Sequence, residues 1–294
     1  VIDRLEVAVA ASPADKIPAV GISESEPPLD VRVRSSEWYH TMRLPGEIVT
    51  PGIFDTLDEL SRVPLPASLA GKRCLDVGTA DGFWAFEMER RGASEVVAID
   101  VHDPARLDWP GPPRSDEEMR EIGGSELNRH RGFDIAHEAL GSSVQPREMT
   151  VYELDPADIG EFDFVFIGSL LLHLRDPVGA LRAIRSVLRG ELLSVDTVSP
   201  TMTLLHPRQP MARLDAPGWP LWWVLNLPGY RRLFDAAGLQ IVASGRPFFV
   251  KPGPAFKPTP RATRGPEGIR HQISTKLGIL HAWVVARPAG TTGA

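Results

Sequence analysis

The chain has 294 residues, 43% hydrophobic and 24% charged, the balance of a globular protein with a sizeable buried core. Its formal net charge of −6 offers no general electrostatic footprint for nucleic acid, although it leaves room for a local basic patch. A single cysteine, Cys74, excludes an internal disulfide framework and a zinc site built from cysteines.

No apolar run approaches the ~18–20 residues needed to span a bilayer, so no membrane partner is expected. Residues 1–11 carry Asp3, Arg4 and Glu6 and do not read as a signal peptide. The cytoplasm is the expected compartment. The excess of arginine over lysine, with abundant Gly and Pro, reads as a GC-rich genomic background.

Residues 1–34 are polar and broken by prolines, with a short helix expected near the start and loose packing for the rest. Glu37-Trp38-Tyr39-His40, Leu44-Pro45-Gly46-Glu47 and Thr50-Pro51-Gly52 follow. Aromatics set among Pro-Gly turns predict an ordered loop packed on the body. Residues 1–70 are thus read as an extension and candidate lid.

From residue 71 strand and helix alternate. Strands are expected at 73–77, 95–99 (ending at Asp100), 148–154, 162–168 and 192–195, with late strands at 239–243 and 281–286. Helices are expected at 83–91, 133–140, 177–188 and 229–237, the third opening on an N1 proline and the last stopped by Gly238. Stretches at about 102–131, 198–228 and 245–280, rich in Pro, Gly and charge, read as insertions. This alternation implies an α/β fold with a parallel sheet covered by helices on both faces.

The segment Asp76-Val77-Gly78-Thr79-Ala80-Asp81-Gly82-Phe83 closes the first strand and opens a helix. Gly78 permits a tight turn, and Gly82 lets a ligand approach the backbone at the helix N-terminus. Asp100 ends the second strand, where a carboxylate can accept both ribose hydroxyls of a nucleoside. A dinucleotide site would use G-x-G-x-x-G, spaced for a pyrophosphate. Here the loop is Asp-x-Gly-x-x-x-Gly, and Asp76 would repel a pyrophosphate but suits a cationic amino-acid moiety. S-adenosylmethionine is favoured over NAD.

Residues 76–82, Asp100 and the run 162–177 resemble the motifs of class I S-adenosylmethionine-dependent methyltransferases, which have a Rossmann-like sheet. With Trp38-Tyr39-His40, Thr50-Pro51-Gly52 and His173-to-Pro177, the pattern over about residues 37–245 resembles the bacterial family related to tRNA wobble-uridine (carboxy)methyltransferases. The resemblance implies that Asp76, Gly78 and Gly82 surround the methionine end of the cofactor, with Thr79 and Phe83 also among the cofactor-binding residues. It places Asp100 on the ribose, Val101, Tyr152 and Glu153 at the adenine, and Gly168 and Ser169 beside the sulfonium. Carboxymethyl-transferring members hold the extra carboxylate with a lysine in the N-terminal segment, a tyrosine before the strand-four histidine and a distant arginine. Here Leu172 precedes His173, and 35–52 has no lysine. A carboxylate buried there would lack partners, so ordinary S-adenosylmethionine is the expected donor.

Methyl transfer needs an aligned nucleophile, a dry site and, for some acceptors, a base. Two histidines are candidates: His173, just past the fourth strand, and His40, in the segment that can fold over the cofactor. Asp176 reads as the N-cap of the helix opening at Pro177, and His102 and Asp103 as solvated. No carboxylate cluster has metal-binding spacing, so no metal is expected. Trp38 and Tyr39, together with Trp219, Trp222, Trp223 and Asn226 after the fifth strand, are candidates for an acceptor pocket. Arg246, Lys251, Lys257, Arg261, Arg264 and Arg270, interleaved with Phe248, Phe249 and Phe256 and accompanied by Glu267, read either as a solvated loop or as a track for single-stranded nucleic acid.

The first expectation is methylation of an oxygen or nitrogen of a small molecule, such as a natural-product or sugar-like intermediate. A tRNA wobble-uridine methyltransferase is the second, and a non-catalytic methyltransferase-fold binding protein the third. The sequence leaves the oligomeric state open.

Overall fold

A computed structural model describes residues 26–111, 115, 117–118, 129–214, 221–256 and 276–290. Its centre is a seven-stranded sheet: β1 (Arg73–Val77), β2 (Glu95–Asp100), β3 (Gln145–Glu148), β4 (Phe162–Gly168), β5 (Leu188–Thr197), β6 (Leu239–Ser244) and β7 (Ile279–Pro288). The spatial order is β6-β7-β5-β4-β1-β2-β3, and a short strand, Phe248–Val250, pairs with β7 off this path. Strands β1 to β5 pair in parallel, whereas β7 runs antiparallel to both β5 and β6. The order reverses between β1 and β4. Ligands of open α/β sheets bind beyond the carboxyl ends of strands at such a switch.

The buried strands are apolar on both faces because both faces are covered. On one face, Leu75, Val165, Ile167 and Leu192 pack with α4 (Pro177–Val187) and α5 (Leu227–Ala236). On the other, Cys74, Phe164, Phe166 and Val195 pack with α2 (Phe83–Arg90), α3 (Arg129–Leu140) and the N-terminal segment that begins with α1 (Leu29–Arg34). Asp176 caps α4 by accepting the Gly179 N–H at 2.8 Å, with Pro177 at N1. Gly238, at φ +74°, ends α5 as expected.

The third strand lies earlier in the chain than its apolar pattern suggested. Met149, Val151 and Leu154 mimic an alternating strand, yet Thr150 and Glu153 form a capping box that turns Val151–Glu153 into a 3₁₀ turn. The strand proper, Gln145–Glu148, is an exposed edge. The 198–228 insertion holds a short helix, Pro200–Leu205, and a hairpin, Ala212–Leu214 with Trp223–Leu225. The helix expected near the start, Trp219, Lys257, Arg261, Arg264, Glu267 and Arg270 lie outside the described residues. Among the described residues no helix is long and apolar enough to cross a membrane, and no group of three or more His, Cys, Asp and Glu could hold a metal ion.

Candidate functional site

The glycine loop is pinned to the end of β2. Gly78 and Thr79 donate their N–H groups to the Ile99 carbonyl at 2.9 and 3.1 Å. Ala80 donates to Asp100 Oδ2 at 2.6 Å and stands at φ +50°, a conformation seldom taken without glycine. Asp100 Oδ1 accepts from Val101 N at 2.7 Å. Each carboxylate oxygen keeps a second lone pair for a ligand. Asp76 is buried at the end of β1 and accepts the Thr79 hydroxyl at 2.7 Å. Burial pushes its carboxyl up to about 7, Thr79 and His40 oppose the shift, and Asp100 adds to it.

Two neighbouring carboxyls without a bonded Lys or Arg among the described residues suit a cationic ligand with hydroxyls. The ammonium and ribose of S-adenosylmethionine have that chemistry; a pyrophosphate does not. A pH dependence follows. A cation at Asp76 favours the ionised carboxyl, so binding releases a proton near neutrality. Affinity is expected to rise with pH, up to about tenfold per unit, and level off above about 7. Calorimetry at pH 6.5 in two buffers of different ionisation enthalpy measures that proton; finding none would remove Asp76 from the cation site.

Gly78 and Gly82 have φ +75° and +88°, so both turns require glycine. At Gly82 the space of a side chain is already filled by the rings of Phe86 and Phe133, so packing, rather than the ligand approach expected of it, also demands glycine there. Phe83 is likewise buried, its ring against Trp84 and His40.

The N-terminal segment is a strap across this loop. Asp81 accepts the Tyr39 N–H at 2.7 Å and the His40 N–H at 2.9 Å, and its other oxygen bonds His40 Nδ1. Gly52 lies so close to the backbone of His40 and Thr41 that a Cβ has no room, which explains the glycine of Thr50-Pro51-Gly52. Burial lowers the His40 pKa, but the Asp81 carboxylate, with smaller contributions from Glu59 and Asp76, outweighs it and holds the imidazole above its ordinary value.

Between the strap and the end of β4 lies a small pocket. Its polar wall is Tyr39, His40, Glu59, Ser169 and His281; Phe54, Trp84 and Val250 supply the apolar wall and Gly168 the floor. Trp84 stacks on Phe166 at 4.4 Å between centroids. Ser169, at φ +48°, bonds His281 Nε2 at 3.1 Å, while His281 Nδ1 bonds the Ile279 carbonyl at 2.8 Å. Burial pushes the His281 pKa down to about 4, so this imidazole is neutral. With Nδ1–H donating to the carbonyl, Nε2 accepts the Ser169 hydroxyl.

His40, Tyr39, Gly168 and Ser169 thus meet at one pocket beside the Asp76–Asp100 cradle. Other expected residues stand elsewhere. His173 ends the turn Leu171–His173 and does not line the pocket. Trp38 is 2% exposed, its indole N–H bonded to the Val33 carbonyl at 2.9 Å, so it is core and not acceptor surface. Asn226 is fully buried and caps α5. Its amide accepts from Met211 N and Gly229 N and donates to the His206 and Gln209 carbonyls, which leaves nothing for an acceptor.

Trp222 and Trp223 donate to the Asp108 and Leu174 carbonyls at 2.8 and 3.1 Å and tie the insertions together. Tyr152 bonds Asp108 at 2.6 Å and Asp176 N at 3.1 Å, and Glu153 bonds Thr150 N and Arg106, both at 2.6 Å. These polar atoms hold the 102–111 segment in place. Lys251, from the basic stretch, pairs with Asp58 at 2.9 Å and anchors the strap.

Four residues escaped sequence reading: Asp81, Glu59, Asp196 and His281. Asp196, buried at the end of β5, accepts the Leu171 and Thr197 N–H groups at 2.8 and 2.7 Å and fixes the turn after β4. Only His281 left a signal, as one polar residue in an apolar strand.

A family model described as a methyltransferase domain matches residues 48–244. The ubiquinone biosynthesis O-methyltransferase of Marinobacter nauticus is 33% identical over 135 residues, 45% of this chain and 46% of that protein. Its counterpart in Acinetobacter baylyi is 26% identical over 157 residues, 53% and 54% of the two chains. The chain spans about half the length of the curated relatives it matches. Among solved structures, the N-terminal domain of EvdMO1, crystallised with SAH and D-fucose, superimposes with a TM-score of 0.54 at 14% identity, covering 88% of this chain and 95% of that one.

Proposed function

Because the chain belongs to the methyltransferase-domain family, and is thus an S-adenosylmethionine-dependent enzyme on a Rossmann-like class I fold, we propose that it methylates an oxygen or nitrogen of a small molecule held in the strap pocket. The observation that carries this reading is the pocket itself. It is small, His40 on its wall is bonded to Asp81 of the glycine loop, and among the described residues no Lys or Arg lines it. Such a cleft suits an uncharged or cationic acceptor and disfavours a phosphate-bearing one. The curated relatives are named O-methyltransferases, which favours oxygen as the methylated atom.

When bound, S-adenosylmethionine supplies a methyl group on a sulfonium sulfur. The chain's own residues do the rest. Asp76 and Asp100 hold the ammonium and ribose, Gly168 and Ser169 floor the transfer site, and Tyr39 and Phe54 close the strap over it and exclude water. Residues up to about 70 act as the closing extension, and those from 71 onward form the methyltransferase domain. His40 serves this arrangement as a charged clamp on Asp81 more than as a base, because its pKa is raised.

The test uses methyl-labelled S-adenosylmethionine, offered with unmodified total tRNA and, separately, with a small-molecule extract of the source organism. Label confined to the small-molecule fraction is expected, and mass analysis then names the acceptor. Label in tRNA would instead establish the wobble-uridine reading, and its binding would weaken steeply with salt.

A further inference from the structure

Glu59 closes the short turn Thr56–Glu59 of the strap. Asp55 caps that turn by accepting Asp58 N at 3.1 Å, and Thr41 Oγ1 accepts Thr56 N at 2.9 Å, so the turn is fixed on the strap. The Glu59 side chain is only 8% exposed, and it lines the pocket with Ser169, Gly168 and Trp84. Among the described residues no donor bonds its carboxyl oxygens; His40 and Asp58 act on it only through their charge. A buried carboxyl without donors is costly to keep. A ligand proton inside the pocket gives it a partner.

We propose that Glu59 is the proton acceptor of the methyl transfer. This rests on the reading above. As the acceptor's hydroxyl oxygen or amine nitrogen bonds the methyl carbon, the carbon–sulfur bond breaks and its electron pair returns to sulfur. The proton leaving the acceptor passes to the Glu59 carboxylate.

Three other groups are less suited: His40 and His281, which line the pocket together with the Tyr39 phenol, and Asp58, the neighbour of Glu59 in the chain. His40 is engaged by Asp81 and already holds its proton more firmly than a free imidazole. His281 has both ring nitrogens engaged and is a weak base at about 4. Asp58, next in the chain, is committed to Arg62 and Lys251. Burial pushes the Glu59 carboxyl up to about 7, with the His40 charge opposing and Asp58 adding. A base that titrates near the working pH transfers protons most effectively.

The test compares the full-length chain with Glu59→Gln and Glu59→Asp. The first readout needs no turnover. NMR of the 13C-glutamate-labelled protein follows the Glu59 carboxyl through a pH titration, with E59Q supplying its assignment. The midpoint is expected near 7. Calorimetry with S-adenosylhomocysteine is expected to give the same affinity for all three proteins.

The second readout is transfer of label into the small-molecule extract across pH, with S-adenosylmethionine saturating at every pH so that the Asp76 titration does not enter. The wild-type rate is expected to rise with pH and level off above neutrality. E59Q is expected to fall by about 10²–10⁴-fold and lose that dependence, and E59D to recover part of the rate with the profile restored. A Glu59 midpoint near the ordinary ~4.3, or E59Q turning over within threefold of wild type, overturns the proposal. Wild type that labels no acceptor at all overturns the small-molecule reading itself, a different result from a wild type and E59Q that are equally active.

Discussion

Asp100→Ala is expected to weaken S-adenosylmethionine binding by at least about 100-fold while the chain stays folded. Asp100 is half-buried, and no cation is bonded to it among the described residues. Hydrogen bonds to a charged group contribute about 1.5–3 kcal/mol each. Two of them, at about 1.4 kcal/mol per tenfold, amount to roughly 10²–10⁴ in affinity.

A second loss compounds the first. Ala80 stands in a left-handed conformation tied down by the 2.6 Å bond to Asp100 Oδ2. Without that bond the loop relaxes and the cradle loses its shape. Calorimetry with S-adenosylmethionine measures both effects together. Affinity within about threefold of wild type would show that the ribose is held elsewhere.

Asp81→Ala is expected to have the largest effect on stability. One carboxylate accepts two backbone N–H groups and engages a buried imidazole, and all three belong to the strap. Removing one partner of a buried, hydrogen-bonded charge pair costs about 3–5 kcal/mol, because the other is left uncompensated. At about 2–4 °C per kcal/mol for a chain of this size, the melting temperature should fall by about 6–20 °C. The loss also depends on pH. The folded pKa of His40 lies above its ordinary 6.5, so the stability from this pair is fully present below 6.5 and is lost as pH rises through the folded value. Wild type and D81A should therefore differ most at mildly acidic pH, and by less in alkaline medium, where only the two lost backbone N–H bonds still separate them. Melting curves at pH 6 and pH 9 measure this, and equal gaps at both would remove the His40–Asp81 charge from the account.

The sheet was legible because buried parallel strands and amphipathic helices write their periods into the sequence. The strands β1, β2, β4, β6 and β7 and the helices α2, α4 and α5 lie within a few residues of where apolar runs, an N1 proline and a C′ glycine put them. Gln145–Glu148 was not legible, because an edge strand exposed on both faces carries no apolar pattern. The glycine loop and its tie to the end of β2 were legible through Asp76, Gly78, Gly82 and Asp100, since they are built from one contiguous stretch with fixed spacing. The lining of the strap pocket was only half legible. Tyr39, His40, Gly168 and Ser169 stood out, but Glu59 and His281 lie more than 200 residues apart in the chain, and local pattern holds no trace of their meeting. The tryptophans misled for a related reason: Trp38 and Trp223 are as apolar in a core as in a pocket, and only their indole partners tell the two apart.

The antiparallel β7 has a consequence for how this enzyme comes into being. The cradle uses β1, the loop and β2, which follow one another in the chain, so its contacts close short loops and can form early. The acceptor pocket has one wall from the strap and another from β7, which slots between β5 and β6. It cannot exist until nearly the whole sheet has been laid down. The loop's contacts can therefore be complete in a chain whose pocket still lacks its second wall.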